Sequence, residues 1–246
     1  MRLWTACLLL LFFNQSANAV VGKVTEQLNA VASITREKST LTAPKGTGVE
    51  MNDAVKTGQG KIGITFEDDT KVQITENSKL VIDDFVYDPK APKAGKLALN
   101  MASGTVRYAS GAIAKNDPSK VAINTPTATI AVRGTDFTAT VDELGASTII
   151  LLPSCIDRIK TPDALDKHDK NCKTGIIDVI TDAGIVTLDQ PFQATRVESR
   201  ATAPLKPVTL NLSLDAMNGL LILSPPQELK KQQQDQAKAN VSLLSQ

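Results

Sequence analysis

Few residues of this chain combine a type and a spacing that could do chemistry. Cys155 and Cys172 bracket a polar stretch in which His168, the single histidine, stands among Asp163, Asp166 and Asp169. A nucleophilic mechanism would need His168 as its base, yet no nucleophile motif, phosphate-binding glycine loop or paired-ligand metal motif accompanies it. A metal site needs more ligands than one imidazole, so these aspartates are at most helpers. The clusters Glu67-Asp68-Asp69 and Asp83-Asp84 offer oxygen ligands to a hard cation without the ligand spacing of a calcium loop, and read as solvated turn charges. Two turn acids could in principle do glycosidase chemistry, but nothing marks a particular pair. The sequence therefore predicts no enzyme, no cofactor and no resident metal.

The cysteines have a structural reading. Arg2 precedes the apolar run Leu8–Phe13, and Ala17-Asn18-Ala19 supplies the small-x-small pattern that a signal peptidase cuts. This predicts a Sec-type signal peptide over 1–19, a mature chain starting at Val20, and a periplasmic or secreted protein. The run is well short of the ~20 apolar residues a spanning helix needs, and no second candidate follows, so no stable membrane span is expected after cleavage. Cleavage removes Cys7 and leaves Cys155 and Cys172, which in an exported chain most simply form one disulfide. They lack a CxxC arrangement, and closing such a loop stabilises a fold by roughly 3 kcal/mol in the chain-entropy view.

Composition excludes several partners. The chain holds 27 Lys and Arg against 26 Asp and Glu, and the signal carries only Arg2 of these, so the mature charges balance. A neutral balance argues against a nucleic-acid or polybasic membrane binder. The one tryptophan, Trp4, lies in the signal, which disfavours an aromatic platform for carbohydrate.

The elements that would position any site alternate apolar and polar residues with period two. Ile62, Ile64 and Phe66, then Val72 and Ile74, then Leu80 and Ile82 are separated by turns at Glu67–Thr70 and Glu76–Ser78. Leu97, Leu99 and Met101 follow, and Gly104-Thr105-Val106 continues the pattern. Ile130 and Val132 precede Arg133-Gly134-Thr135-Asp136-Phe137, after which Ala139 and Val141 alternate again. Glycine at 134 permits a positive φ or a close backbone approach at the step between two strands, across which Arg133 and Asp136 could pair. Thr148–Leu152 reads as a buried strand, and residues 176–188 as a hairpin turning at Asp182-Ala183-Gly184.

These motifs resemble the FecR-domain family. The signature is Arg133, Gly134, Thr135, Asp136 and Phe137, preceded by Ile64–Ile74 and Asn77–Ile82 and by the Val55–Gly58 turn. Asp69 stands where the family commonly has glycine. The resemblance covers roughly 20–145 well and 176–197 more loosely. It implies an all-β extracytoplasmic module, a β-roll, short β-solenoid or sandwich-like body, used in sensing or assembly. The domains expected are the signal at 1–19, a FecR-like domain at 20–200 with a disulfide-closed insert at 153–175, and a linker, apolar segment and polar flexible tail at 201–246. The function expected is an exported binding or scaffold protein of the bacterial envelope with protein partners. The alternative is a ligand-binding module for an envelope polymer or small solute.

Overall fold

The computed structural model of the protein describes residues 19–154 and 173–210, with a few helical positions between 232 and 238. The expected signal sequence, Cys155, His168, Cys172 and most of the C-terminal segment lie outside the described residues.

Period-two alternation produces strands almost throughout. In chain order they are β1 (Val20–Leu28), β2 (Ala32–Arg36), β3 (Ser39–Thr42), β4 (Gly48–Glu50), β5 (Ala54–Thr57), β6 (Lys61–Phe66), β7 (Lys71–Ile74), β8 (Lys79–Val86) and β9 (Lys96–Ala109). Then follow a short helix α1 (Ala112–Asn116), β10 (Val121–Asn124), β11 (Thr129–Arg133), β12 (Asp136–Val141), β13 (Ser147–Leu152), β14 (Ile176–Thr181), β15 (Gly184–Leu188), β16 (Gln193–Val197) and β17 (Val208–Thr209). None of the described helices is long and apolar enough to cross a membrane.

The strands form two layers joined by one long strand. The first sheet runs β4-β1-β6-β7-β9-β12-β13-β16-β17. The second runs β3-β2-β5-β8-β9-β10-β11-β14-β15. Every ladder is antiparallel except β9–β10, which is parallel. The first half of β9 lies in the second sheet, opposite β8, and its last residues lie in the first, opposite β7 and β12. The change of layer falls at Gly104, whose φ is +83°. A Cβ there would come within 2.5 Å of the Ser78 Cα, so only glycine lets the two turns of chain approach this closely.

The inward rows of both sheets meet in one core. Ile62, Ile64, Phe66, Val72 and Ile74 of the first sheet join Val55, Leu80, Ile82, Leu97, Leu99 and Met101 of the second. These are the rows the alternation marks. Of the alternatives left open by the sequence, the sandwich-like form is the one observed. The body does not stop at residue 200, since Val208 and Thr209 pair with Ala194 and Gln193.

Polar side chains fix the turns. Asp68 is fully buried; its carboxylate accepts the Thr70 amide at 3.0 Å, the Thr70 hydroxyl at 2.9 Å and the Ile113 amide at 3.1 Å, which ties the β6–β7 turn to α1. The central acid of the candidate calcium cluster is thus occupied by hydrogen-bond donors. Asp69, where glycine would be usual, has φ +64°; aspartate tolerates this region better than most residues. Near the start of the sandwich, the Arg36 guanidinium donates to both oxygens of the buried Asp53 at 2.9 and 2.8 Å, to Glu50, and to the Gly48 carbonyl at 3.0 Å. The hydrogen bond from Asp53 raises the Arg36 pKa above its ordinary value.

Candidate functional site

The signature is where the chain passes from one layer to the other. Arg133 ends β11 in the second sheet and Asp136 opens β12 in the first, with Gly134 between them at φ +65°. Because the two residues belong to different sheets, they do not pair with each other. Arg133 donates to Asp178 on the neighbouring β14, and Asp178 also accepts the Thr187 hydroxyl of β15 at 2.7 Å. Asp136 faces Arg107 of β9 at 3.7 Å. Phe137 turns into the core and stacks on Tyr108, with ring centroids 5.3 Å apart.

Thr135 has the part that sequence reasoning missed. Its amide donates to the Ser110 hydroxyl at 2.9 Å, and that hydroxyl donates back to the Thr135 carbonyl at 2.8 Å. Its own hydroxyl accepts the Gly175 amide at 3.2 Å and lies 3.5 Å from the Leu152 carbonyl. Leu152 is the last residue before the insert and Gly175 belongs to the return, so one threonine touches both roots. Gly175 is packed so closely that a Cβ would lie 2.5 Å from the Thr135 Cβ and 2.8 Å from the Arg133 carbonyl oxygen. The roots also pair directly: the Ser154 amide donates to the Lys173 carbonyl at 2.9 Å, and the Lys173 amide to the Ser154 hydroxyl at 3.0 Å. Only the insertion of a polar stretch directly after a buried strand could have pointed to this junction.

Beside the junction lies an open sheet edge. Among the described residues β15 forms a ladder with β14 alone. On the outward side of β11, β14 and β15 the register places Arg133 opposite Ile176, Ala131 opposite Asp178, and Ile180 opposite Ile185. Ile185 is 64% exposed and Ile176 37%. The corner therefore offers exposed isoleucines, a half-screened ion pair and free backbone groups along one edge. That combination suits protein contact better than catalysis.

A second feature lies on the outer side of the first sheet. A groove of about 480 Å³ is lined by Thr25, Glu26, Lys71, Gln73 and Arg107 among others. Its walls are polar and shallow. No group of three or more His, Cys, Asp or Glu that could hold a metal occurs among the described residues.

Comparison with known proteins agrees with the fold. The model of the family described as FecR protein matches residues 53–152, from the buried Asp53 to the last residue before the insert. Two solved structures of a candidate anti-sigma factor from Parabacteroides distasonis ATCC 8503 resemble the chain at a TM-score of 0.44, with 14% and 15% identity. The likeness covers 68% of this chain and 64% and 63% of theirs, so this chain spans less than two thirds of their length. At that score the likeness carries no inference about function. No curated protein matches the chain.

Proposed function

We propose that this chain, which carries a FecR domain over residues 53–152, is an exported binding or scaffold protein of the bacterial envelope that engages a protein partner in sensing or assembly. The observation that carries the reading is the junction at Thr135. The family signature there clamps both roots of a polar insert against a rigid two-layer body, next to the open β15 edge. Rigid scaffolds commonly present variable loops for recognition, and an unpaired strand edge can accept a partner strand through main-chain hydrogen bonds.

The Cys155–Cys172 bridge belongs to the same reading. Ser154 and Lys173 are hydrogen-bonded to each other, and each cysteine is the next residue outward. Facing positions in antiparallel chains sit at separations a disulfide spans. The bridge would close the insert just beyond the clamp.

The test is crosslinking in cells of the intact protein, of a variant lacking residues 155–172, and of Ile185→Lys at the edge. A specific envelope protein should be captured by the intact form and lost from one or both variants. Recovery of the same protein at equal yield from both variants contradicts the placement of the contact.

The groove lined by Lys71, Gln73 and Arg107 favours a second reading, a module for an envelope polymer or small solute. That reading requires a ligand that raises the thermal midpoint with its concentration and loses the effect in Gln73→Ala.

A further inference from the structure

Strands β12 and β13 are shielded on both faces. Their inward residues Phe137, Ala139, Val141, Ile149 and Leu151 belong to the core between the sheets. Their outward residues are just as inaccessible: Thr138 and Ile150 are 1% exposed, and Leu152 and its β16 neighbour Ala194 are fully buried. None of these outward residues belongs to the inner core. The register sets Thr138 opposite Ile150 and Ile150 opposite Ala194, so they form one continuous patch across three strands. A surface of this kind at an outer face ordinarily keeps polar residues towards water.

The described elements do not account for the cover. The second sheet packs on the inward side, and α1 sends Ile113 and Ala114 into the same inner core. The residues before Leu210 lie in the plane of the first sheet, because the Leu205 amide donates to the Arg196 carbonyl at 2.9 Å and the Leu210 amide to the Phe192 carbonyl at 3.0 Å. Thr138 adds a chemical sign: its hydroxyl is buried and has no hydrogen-bond partner, as expected of a threonine turned towards an apolar neighbour.

Three stretches of chain lie outside the described residues, and they differ in where they join and what they carry. The N-terminal stretch joins at β1, separated from β12 by β6, β7 and β9. The insert is dominated by charges such as Asp157, Arg158, Lys160, Lys167 and Lys170, which an apolar patch would have to desolvate. The C-terminal stretch leaves from Leu210 beside Phe192, at the edge of the patch itself. Val208 pairs with Ala194, so Val208 and Leu210 share its outward side, and Leu212 and Leu214 keep the same alternation with Asn211 and Ser213 between them. Met217 and Leu220 to Leu223 then follow, with Asn218-Gly219 as a turn.

We propose that residues 211–223 lie across the outer face of β12, β13 and β16, with their leucines and Met217 packed on Thr138, Ile150, Leu152 and Ala194. The segment is then an internal strap that completes a third layer over half of the first sheet. Its charged neighbours after Pro226 remain in solvent. A second protein reaches this face only by displacing the strap.

Methyl-labelled full-length protein tests this without perturbing the interface. Nuclear Overhauser cross-peaks from the Ile150 and Leu152 methyls to methyls of residues 212–223 are expected. Cross-peaks to Ile156, Ile159 or Leu165 of the insert instead, or to no residue outside 19–210, would overturn the proposal. A chain ended at Leu210 gives a second reading: a soluble paramagnetic agent should broaden the Ile150 and Leu152 methyls several-fold more than in the full chain, while Ile149 and Leu151 stay protected. Equal broadening in the two chains contradicts the strap. If the shortened chain fails to fold, the cross-peaks in the full chain still decide.

Discussion

The Thr135 hydroxyl accepts the Gly175 amide at 3.2 Å, which fastens the signature of the domain to the returning root of its insert. The bond joins residues forty positions apart and orients the insert relative to β15. Thr135→Val keeps the volume and removes the acceptor, so it should cost about 1–2 kcal/mol in urea titration. Amide exchange at Gly175 should accelerate while the core strands stay protected. Gly175→Ala should be worse, by roughly 1–3 kcal/mol from overpacking, because the new methyl meets the Thr135 Cβ and the Arg133 carbonyl.

Gly104 lets β9 change sheets beneath Ser78. Gly104→Ala combines a left-handed φ of +83° with a contact of 2.5 Å to the Ser78 Cα. The expected loss is about 3 kcal/mol, from backbone strain and overpacking together. The clash is with backbone, so Ser78→Gly added to Gly104→Ala should restore little. Recovery of the full denaturant midpoint in the double variant would show that the Ser78 side chain alone sets the constraint.

The Arg36–Asp53 pair locks β2 to the turn before β5. Asp53→Asn leaves Arg36 without its bidentate acceptor and should destabilise by about 3 kcal/mol. Replacing both residues by apolar ones of similar size should recover most of that. A thermal melt of the single and double variants separates a broken pair from general disruption.

Burial raises the Tyr108 hydroxyl well above its ordinary pKa. A group whose folded pKa is raised contributes stability that is complete below its unfolded value of about 10 and is lost as pH climbs towards the folded value. The protein should therefore weaken steadily above about pH 10. Tyr108→Phe removes a buried hydroxyl without a hydrogen-bond partner, leaves the stack on Phe137, and should change stability at neutral pH by about 1 kcal/mol or less. In that variant the alkaline decline should be shallower. An unchanged decline would place its cause elsewhere.

Much of the fold was legible because alternation is a direct consequence of half-buried strands. The rows Ile62-Ile64-Phe66 and Leu97-Leu99-Met101 point inward as their spacing requires. Layer assignment was not legible, since no local pattern says that β9 serves both sheets or that Arg133 and Asp136 begin in different ones. For that reason the Arg133–Asp136 pairing suggested by proximity in sequence gives way to Arg133–Asp178 and Arg107–Asp136. Asp68 shows the other limit. A turn acid and a buried, fully bonded acid look identical in sequence, and only the position of α1 distinguishes them. The outward burial of Ile150 was visible only as the unbroken run Thr148–Leu152, which a strand covered on both faces requires.

The account rests most directly on the insert and its junction as the place of contact. Crosslinking in cells of the intact protein beside a variant lacking residues 155–172, with both shown to be folded by their melting curves, tests it. One envelope protein captured by the intact form and absent from the variant is the expected result. The same protein captured equally by both, or none by either, would contradict it.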